Sequence, residues 1–324
     1  MTHQHRLAVL GATGFIGSHV AAYGQTVGIS VTPVSMPRVH PFSAMTAPIA
    51  DAADRWRRSN RSTFDDLCLA LAPFDVVINA AGDPRAGSSD TQNLLAANAV
   101  LPAILARAAH AAGVRRLVHV STAAVQGRLD PLDETAAHFP LSPYASSKAH
   151  GELLLLNADP ARGEVPAEMV LYRPTSVQAI RHQATRDFAR LMRRLPAVPL
   201  EGTGERPVPV AQLENVAAGI LFAATMDEPA PLVLQPDEAM TVRHLVELFG
   251  ARHIVAIPPR AANATLDQLG RVTRHSAYLT SRFRWLELLL RGQGTSAKVL
   301  PTAGFTVPVG HDGWVALAQA TGAR

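Results

Sequence analysis

The chain has a single cysteine among its 324 residues, and aromatic residues make up 5% of it. One cysteine excludes an intrachain disulfide, and it favours a reducing, cytoplasmic location in which Cys68 is a small buried hydrophobe. The scarce aromatics and dispersed arginines provide no stacking platform for nucleic acid, although the formal net charge is +4. No continuous apolar run has the length of a membrane span. We therefore expect neither a nucleic-acid nor a membrane partner.

Sequence patterns that bind metals or direct secretion are also missing. The thirteen histidines include no His-Glu-x-x-His, and no Cys-x-x-Cys is present, so no metal centre is predicted. The N-terminal apolar stretch is interrupted at once by glycines, which argues against a signal peptide. What is present is typical of a globular protein, with 48% hydrophobic and 17% charged residues.

The most informative segment is a run of glycines that follows the first apolar stretch, residues 7–10. A strand followed by such a run and then by a helix is the sequence context of a nucleotide cradle. Gly11 permits a tight turn, Gly14 lets the backbone approach a pyrophosphate, and Gly17 lets the helix pack closely on the strand. A glycine turn without ligand is the alternative. The residues predicted to form the cradle are Gly11, Thr13, Gly14, Phe15, Ile16 and Gly17.

Tyr144 and Lys148 form a second informative pattern, because residues four apart lie on one face of a helix. An ammonium group beside the phenol favours phenolate, so we expect Lys148 to lower the pKa of Tyr144 from its ordinary value of about 10. Thr122 ends a predicted strand over 117–121 and can bring a hydroxyl to the same place. Singly, the pair is common on surface helices and the threonine is an ordinary turn residue. Together they predict proton transfer to or from a substrate oxygen while hydride moves at the same carbon.

Five short apolar runs alternate with alanine-rich helical stretches, which predicts an α/β fold with a doubly wound parallel sheet, the Rossmann arrangement. Right-handed crossovers bring the carboxyl ends of the strands to one edge of such a sheet. The glycine run, Gly82, Thr122 and Pro174 should therefore surround one crevice. The predicted strands are 7–10, 29–35, 75–79, 117–121 and 169–173, and the predicted helices include 94–112 and 144–157.

Taken in order, these motifs resemble an extended short-chain dehydrogenase/reductase of the NAD-dependent epimerase/dehydratase type. Besides the glycine run and the Tyr-Lys pair, the resemblance rests on Asn-Ala-Ala-Gly at 79–82, Val-Ser-Thr at 120–122 and Leu-Tyr-Arg-Pro at 171–174. It covers roughly residues 6–235. It implies a Rossmann domain over 1–172 with a return segment near 208–235, and a smaller substrate-binding lobe formed by 173–207 and 236–324.

The resemblance also implies a role for each site residue. Thr122 would polarise the substrate oxygen, Tyr144 would act as acid and base, and Lys148 would hold the nicotinamide ribose and tune the tyrosine. Members of this family often dimerise through helices that include the Tyr-Lys one. A homodimer is therefore expected, with 94–112 and 153–156 suited to that contact or to an intramolecular core. Further cofactor contacts are implied at Ala80, Ala81, Gly82, Asn98, Tyr144, Lys148 and Pro174.

The choice between NAD and NADP depends on the end of the second strand. The acidic residue that would hold the adenosine ribose is absent there, and Ser35 and Arg38 stand in this segment instead. An arginine accommodates a 2′-phosphate, so the segment tilts the prediction toward NADP(H), while a solvated loop cation is the alternative interpretation of Arg38. Asp51 is a candidate adenine contact.

Departures from the family pattern bear on the substrate. Ala123 and Ala124 stand where sugar-nucleotide 4,6-dehydratases carry an Asp-Glu pair, so elimination of water is disfavoured because a methyl group transfers no proton. Ser176 replaces an asparagine that contacts the substrate diphosphate. An arginine farther along can offer a planar donor fork to phosphate, or is a surface charge. The predicted substrate contacts are Thr122, Ala123, Ser176 and Arg206, with Arg181 or Arg186 as further candidates.

Three functions follow as hypotheses. The first is an NAD(P)-dependent oxidoreductase or epimerase on a nucleotide sugar, of the 4-epimerase or 4-ketoreductase type. The epimerase would keep NAD bound, and the reductase would consume NADPH. The second is NADPH-dependent reduction of a non-sugar carbonyl in secondary metabolism, such as a polyketide or terpenoid intermediate, which the serine at position 176 permits. The third is a non-catalytic nucleotide-binding or sensing protein, against which the intact trio argues.

Overall fold

The computed structural model describes residues 5–40, 49–273 and 277–322 of the chain. Short strands and helices alternate through its first two thirds, as the apolar runs predict. The strands are β1 (Leu7–Leu10), β2 (Val31–Val34), β3 (Val76–Asn79), β4 (Arg116–Val120), β5 (Glu168–Arg173), β6 (Ser176–Gln178), β7 (Val198–Glu201), β8 (Val210–Gln212), β9 (Leu232–Leu234) and β10 (Ile254–Ile257). The helices are α1 (Phe15–Thr26), α2 (Ala52–Ser59), α3 (Arg61–Leu71), α4 (Thr91–Leu95), α5 (Leu101–Ala111), α6 (Pro143–Leu156), α7 (Gln183–Arg194), α8 (Leu213–Thr225), α9 (Val242–Leu248), α10 (Pro259–Thr273), α11 (Ala277–Arg291), α12 (Val299–Thr302) and α13 (His311–Ala320).

A six-stranded sheet in the order β2-β1-β3-β4-β5-β9 forms the centre of the molecule, and every pair in it is parallel. Alternate residues of each strand face opposite layers of helices. In β1, Val9 packs in the apolar cluster with α1 and α8, whereas Ala8 and Leu10 pack in the cluster with α2, α3 and α5. Because both faces are covered, β1, β3 and β4 are buried at every position.

This topology confirms the predicted doubly wound parallel sheet. The second strand is shorter than predicted, Val31–Val34 in place of 29–35, and the predicted helix over 94–112 begins earlier, at Thr91. The segment near 208–235 contains β8, α8 and β9, and β8 pairs with β6 outside the central sheet. The strand that completes the sheet edge is instead β9, beside β5.

A separate apolar cluster lies outside the six-stranded sheet. It joins α7, α9 and α13 through Phe188, Val246 and Trp314, and β7 pairs with β10 beside it. Phe188 contacts both Phe249 and Trp285, with ring centroids 5.1 and 4.8 Å apart. Trp285 belongs to α11, which lies in a segment about which the sequence alone says little.

One continuous helical stretch, Thr91–Ala111, is long and apolar enough to cross a membrane by length and composition. It comprises α4, a π-helical turn over Ala96–Val100, and α5. Its most apolar window has a mean hydropathy of 1.4, and 72% of that window is buried inside the protein. Such burial is what the core helix of a doubly wound fold shows.

Candidate active site

The glycine run forms a tight turn between β1 and α1, at the point where the strand order of the sheet reverses. Gly11 has φ +80°, and a Cβ atom there would lie 2.7 Å from the Ala81 nitrogen, so no other residue fits. The Gly14 amide donates to the Gly11 carbonyl at 2.8 Å and closes the turn. A Cβ on Gly17 would collide with that same carbonyl oxygen. The helix therefore packs directly on the turn.

The first turn of α1 is open to a ligand. Gly14 occupies the N-cap position and contributes no side-chain cap to the free N–H groups that follow it. Phe15 is 36% exposed, and its ring stacks on His182 with centroids 4.7 Å apart. Free N–H groups and the positive end of a helix form an anion-binding site, so this end of α1 fits a cofactor pyrophosphate.

The other wall of the crevice follows β3, and a buried asparagine shapes it. Asn79 Oδ1 accepts from the Ala81 amide at 3.1 Å, while its Nδ2 lies 3.0 Å from His119 Nδ1. Burial, and then the charge of Lys148, lower the pKa of His119 to about 3, so the imidazole is neutral and its Nδ1 accepts from the amide. Asn79 belongs to the Asn-Ala-Ala-Gly motif, but neither it nor His119 is among the predicted site residues, although a histidine inside an apolar strand is a signal that the sequence offers.

Asn98 and Lys148 lie directly beneath the turn at Gly82. A Cβ atom on Gly82 would lie 2.7 Å from Asn98 Oδ1 and 3.2 Å from Lys148 Nζ. Asn98 belongs to the π-helical turn, accepts from the Asp83 amide at 2.9 Å and donates to the Asp83 carbonyl at 3.0 Å. It also donates to Ser147 Oγ at 3.0 Å. A glycine at 82 is thus required by what packs against it, and a π-helical turn is a common feature of functional sites.

The three predicted catalytic residues converge where β4 ends and α6 begins. Thr122 and Tyr144 line the same cavity, and Thr122 Oγ1 accepts from the Ala124 amide at 3.2 Å. Ser142 caps α6 by accepting from the Ala145 amide at 3.2 Å, which places Tyr144 in the first turn of the helix. Lys148 follows one turn later, and its Nζ donates to the Val120 carbonyl at 3.1 Å.

The pKa of Tyr144 differs from the value expected from the sequence. Burial raises the pKa of Tyr144 to about 12, the hydrogen bond from Thr122 opposes this rise, and the Asp83 carboxylate adds to it. Burial also lowers the pKa of Lys148 to about 8, against the attraction of Glu152. The prediction of a lowered phenol pKa is therefore wrong, because removal from water dominates and Lys148 is not among the groups that shift the pKa of Tyr144.

A buried ion pair supports this part of α6. Glu152 lies one turn after Lys148 and accepts from Arg173 Nε at 3.1 Å and Nη2 at 2.6 Å. His138 Nε2 lies 2.7 Å from the same carboxylate. Burial alone would raise the pKa of Glu152, but the bonds from His138 and Arg173 lower it to about 2. Arg173 reaches further, to the Thr135 carbonyl at 2.7 Å, and so ties the end of β5 to the loop before α6.

The residues proposed for cofactor selection lie at the adenosine side of the crevice. Ser35 and Arg38 are exposed and follow β2, the strand next to β1. Asp51, the candidate adenine contact, is exposed and lies 3.7 Å from Arg55. With the open end of α1 and the glycine turns at 11 and 82, these residues fit a dinucleotide cofactor.

A cavity of about 270 Å³ adjoins the catalytic residues. Of the predicted substrate contacts, Thr122, Ala123 and Ser176 line it. Arg206 is not among the lining residues, and its guanidinium pairs with Asp130. Arg181 and Arg186 are also outside the described lining. Helix α11 contributes the opposite wall through Arg284, Trp285 and Leu288, none of which is among the residues predicted from the sequence.

Comparison with known proteins agrees with this architecture. The family model described as the NAD dependent epimerase/dehydratase family matches residues 7–233. The chain is 30% identical over 164 residues to a dTDP-glucose 4,6-dehydratase from Streptomyces niveus. That alignment covers 47% of this chain and 48% of the relative, so the chain spans about half the length of the curated relative it matches.

Solved structures resemble the chain over nearly its whole length. A UDP-glucuronic acid 4-epimerase from Bacillus cereus, in complex with NAD, has a TM-score of 0.63 at 17% identity, over 98% of both chains. A UDP-glucose 4-epimerase from Thermus thermophilus, also with NAD, has a TM-score of 0.60 at 21% identity, over 98% of both chains. A dTDP-4-dehydrorhamnose reductase from Bacillus anthracis, with NADP, has a TM-score of 0.62 at 13% identity and the same coverage. At these identities the likeness shows the fold.

Proposed function

Because the chain belongs to the NAD-dependent epimerase/dehydratase family, we propose that it is an NAD(P)-dependent oxidoreductase or epimerase acting on a nucleotide sugar, of the 4-epimerase or 4-ketoreductase type. The observation that carries this proposal is that Thr122 and Tyr144 line one cavity, with Lys148 one helical turn after Tyr144 on the same helix. Descriptions of its relatives that name UDP-glucose, UDP-glucuronic acid and dTDP-glucose support the substrate class.

In this proposal the chain's own groups position the substrate and move a proton. The cradle at the N-terminus of α1 would hold the cofactor pyrophosphate. Lys148 and Asn98 lie near the turn at Gly82. When bound, the nicotinamide supplies or receives the hydride. Thr122 would hydrogen-bond the substrate oxygen, and Tyr144 would give a proton to that oxygen or take one from it. Arg38 and Ser35 favour the NADP(H) form of the cofactor.

Elimination of water is not part of this proposal. Ala123 and Ala124 both line the cavity beside Thr122, and neither carries a group that transfers a proton. The 4,6-dehydratase from Streptomyces niveus matches this chain over only about half of its own length, so its activity does not carry over.

A second candidate is NADPH-dependent reduction of a non-sugar carbonyl. It is favoured by the side chains around the cavity, most of which are apolar. It is also favoured by Ser176, whose Oγ already accepts from the side-chain Nε2 of Gln178 at 3.0 Å. The same Thr122 and Tyr144 chemistry would serve this reaction.

The first test is to denature freshly purified protein, identify any released nucleotide, and titrate the emptied protein with NADPH and NADH. Near-stoichiometric NAD supports an epimerase that recycles its hydride. An empty protein that prefers NADPH supports a reductase. Failure to bind either nucleotide contradicts the proposal.

The second test is Tyr144→Phe, which removes the proton-transferring oxygen and keeps the ring. We expect cofactor affinity within about two-fold of wild type and turnover reduced by about 100-fold or more, the usual contribution of a positioned acid or base. Stopped-flow or steady-state NADPH absorbance gives the rate. Turnover equal to wild type would exclude Tyr144 as the acid and base. Cofactor binding without turnover in wild type, on any carbonyl or sugar substrate, would favour the non-catalytic alternative.

A further inference from the structure

The cavity beside Tyr144 is bounded mainly by carbon. Ala123 and Ala124 form the wall next to Thr122, and Leu132 and Leu141 come from the loop before α6. Trp285 and Leu288 of α11 close the opposite side. Beyond Trp285 and Leu288, a small apolar extension continues toward Phe188 and Leu245. A substrate group in this cavity therefore meets methyl, methylene and indole surface in most directions.

The charged and amide side chains of the described lining are already bonded within the protein. Arg284 donates to the Gly127 carbonyl at 2.9 Å and to Gln293 Oε1 at 2.7 Å, and it pairs with Glu287 at 3.0 Å. Gln293 donates through Nε2 to the carbonyls of Gly127, at 3.1 Å, and Leu129, at 2.5 Å. Both side chains thus hold the 127–129 segment in place.

Hydroxyl groups line one part of the cavity, and they belong to Thr122, Ser142, Tyr144, Thr175 and Ser176. Ser142 accepts from the α6 backbone, and Ser176 accepts from Gln178 Nε2. Thr175 Oγ1 is buried and has no hydrogen-bond partner among the described residues, so it can bond one substrate hydroxyl. Thr122 and Tyr144 remain as the pair aimed at the reacting oxygen. A hexose ring would bring additional hydroxyls to this cavity. Those that face the alanine, leucine and tryptophan walls would lose water without gaining partners, which weakens binding.

We propose that the group entering this cavity is a ketone or secondary alcohol whose neighbouring carbons carry hydrogen, methyl or other carbon substituents in place of hydroxyls. This inference rests on the proposed hydride-transfer function and narrows its substrate class. Two sources share this chemistry: a deoxygenated sugar linked to a nucleoside diphosphate, and a free carbonyl compound with a carbon skeleton. Trp285 and Leu288 are the residues that set the preference.

The test compares two pairs of probes with NADPH and the purified chain. The free pair is 2-methylcyclohexanone and 2-hydroxycyclohexanone, which have nearly the same size. The nucleotide pair is a thymidine-diphosphate-linked 4-keto-6-deoxyhexose and its 2,3-dideoxy counterpart. We expect kcat/KM for the less hydroxylated member to be higher by about ten-fold or more, within the range known for a hydroxyl in an apolar pocket. Equal or higher values for the hydroxylated member of both pairs would overturn the proposal.

The same measurements distinguish the two sources. Turnover of the nucleotide pair, with competitive inhibition by dTDP alone, identifies a nucleotide-linked substrate. Turnover of the free pair without inhibition by dTDP identifies a free carbonyl compound. For a probe that binds without turnover, quenching of tryptophan fluorescence in the NADP-loaded protein gives the same comparison as a ratio of dissociation constants. Turnover that is unaffected in Tyr144→Phe would reject the proposed function itself, whatever the probe ratio.

Two leucines on α11 provide a matched pair of variants. Leu288 lines the cavity, whereas Leu286 is 42% exposed on the same helix. We expect Leu288→Gln to lower kcat/KM for the methyl probe about ten-fold and to reduce the preference over the hydroxyl probe, with NADPH affinity unchanged. Leu286→Gln should leave all these values within two-fold of wild type. An unchanged methyl preference in Leu288→Gln would contradict the assigned role.

Ala124→Ser is the second variant, in case Leu288→Gln does not fold. Ala124 is exposed within the cavity wall, so a serine adds a hydroxyl there without disturbing the packed core. We expect the methyl-to-hydroxyl ratio of kcat/KM to fall at least three-fold. A ratio that stays at the wild-type value would argue against an apolar wall as the source of selectivity.

Discussion

Among single residues, those around Tyr144 owe their protonation to burial. Removal from water raises the pKa of the phenol to about 12, lowers that of Lys148 to about 8, and lowers that of His119 to about 3. In each case burial favours the neutral form of the side chain, because surroundings of low dielectric constant disfavour charge. The Tyr144 phenol is therefore prepared as a proton donor, which suits the reduction of a ketone.

Asp83 is the charged neighbour through which this balance can be tested. Its carboxylate is held by Arg85, with Nη2 2.5 Å from Oδ2, and it raises the pKa of Tyr144. We expect Asp83→Asn to lower the pKa of Tyr144 and to move the alkaline limb of the rate profile toward lower pH. Phenolate absorbance, taken as the difference from the Tyr144→Phe protein, measures the shift. Asp312→Asn, at an exposed position of α13, is the control and should have no effect.

Arg38 carries the prediction about cofactor choice. It is exposed beyond β2, where a 2′-phosphate would lie in a bound NADP. We expect Arg38→Ala to weaken NADPH binding about ten-fold and to leave NADH affinity unchanged, which fluorescence titration can measure. Arg58→Ala removes an exposed arginine from α2 and serves as the control. Equal losses for the two nucleotides would show that Arg38 does not discriminate between them.

Helix α6 is the element that assembles the site. Tyr144, Lys148 and Glu152 are four residues apart, so they share one face of the helix. The first two face the crevice, and Glu152 fixes the helix to β5 through Arg173. An ion pair with no exposure on either side chain requires full pairing, since an isolated buried charge is strongly unfavourable.

Glu152→Gln should lower the free energy of unfolding by about 3–5 kcal/mol near neutral pH, because it leaves Arg173 buried without its partner charge. The folded-state pKa of Glu152, about 2, lies below the ordinary value of 4.5. Its stabilisation is therefore present above the ordinary value and is lost as the pH falls toward 2. Urea unfolding at several pH values should show the wild-type advantage shrinking in acid. Glu228→Gln, at an exposed position, is the control. If Glu152→Gln lowers the free energy of unfolding by no more than this control does, the assignment is contradicted.

At the scale of the whole molecule, the alanine-rich stretch that includes α5 is covered by other helices of the same chain. Helices α2 and α3 pack on α5 through Trp56 and Phe64, and Arg107 of α5 pairs with Asp54 of α2 at 2.9 Å. Of the two stretches considered for dimer contacts, 94–112 is thus mostly core. On α6, Leu153 remains 42% exposed, and Phe139 before the helix is 57% exposed.

We propose that any homodimer uses this exposed part of α6. Leu153→Asp should then shift the mass measured by light scattering from dimer to monomer, because a buried carboxylate without a partner is unfavourable at an interface. Leu286→Asp, on the exposed side of α11, should leave the mass unchanged. A wild-type protein that is monomeric at all concentrations would reject the dimer.

The sequence by itself determined the features that depend on neighbouring residues. The alternating sheet followed from short apolar runs, the cradle from glycines that follow a strand, and the Tyr144 and Lys148 face from helical spacing. These are local properties of backbone and periodicity, and family membership followed from their order.

Only the tertiary structure decided which groups surround the chemistry. Lys148 donates to the Val120 carbonyl, and Arg206 pairs with Asp130. Helix α11 brings Trp285 and Leu288 to the cavity beside Tyr144, which lies more than a hundred residues earlier in the chain. The pKa of Tyr144 and the apolar character of the cavity beside it both depend on the side chains that exclude water there. That exclusion comes from contacts between distant segments, which no local pattern encodes.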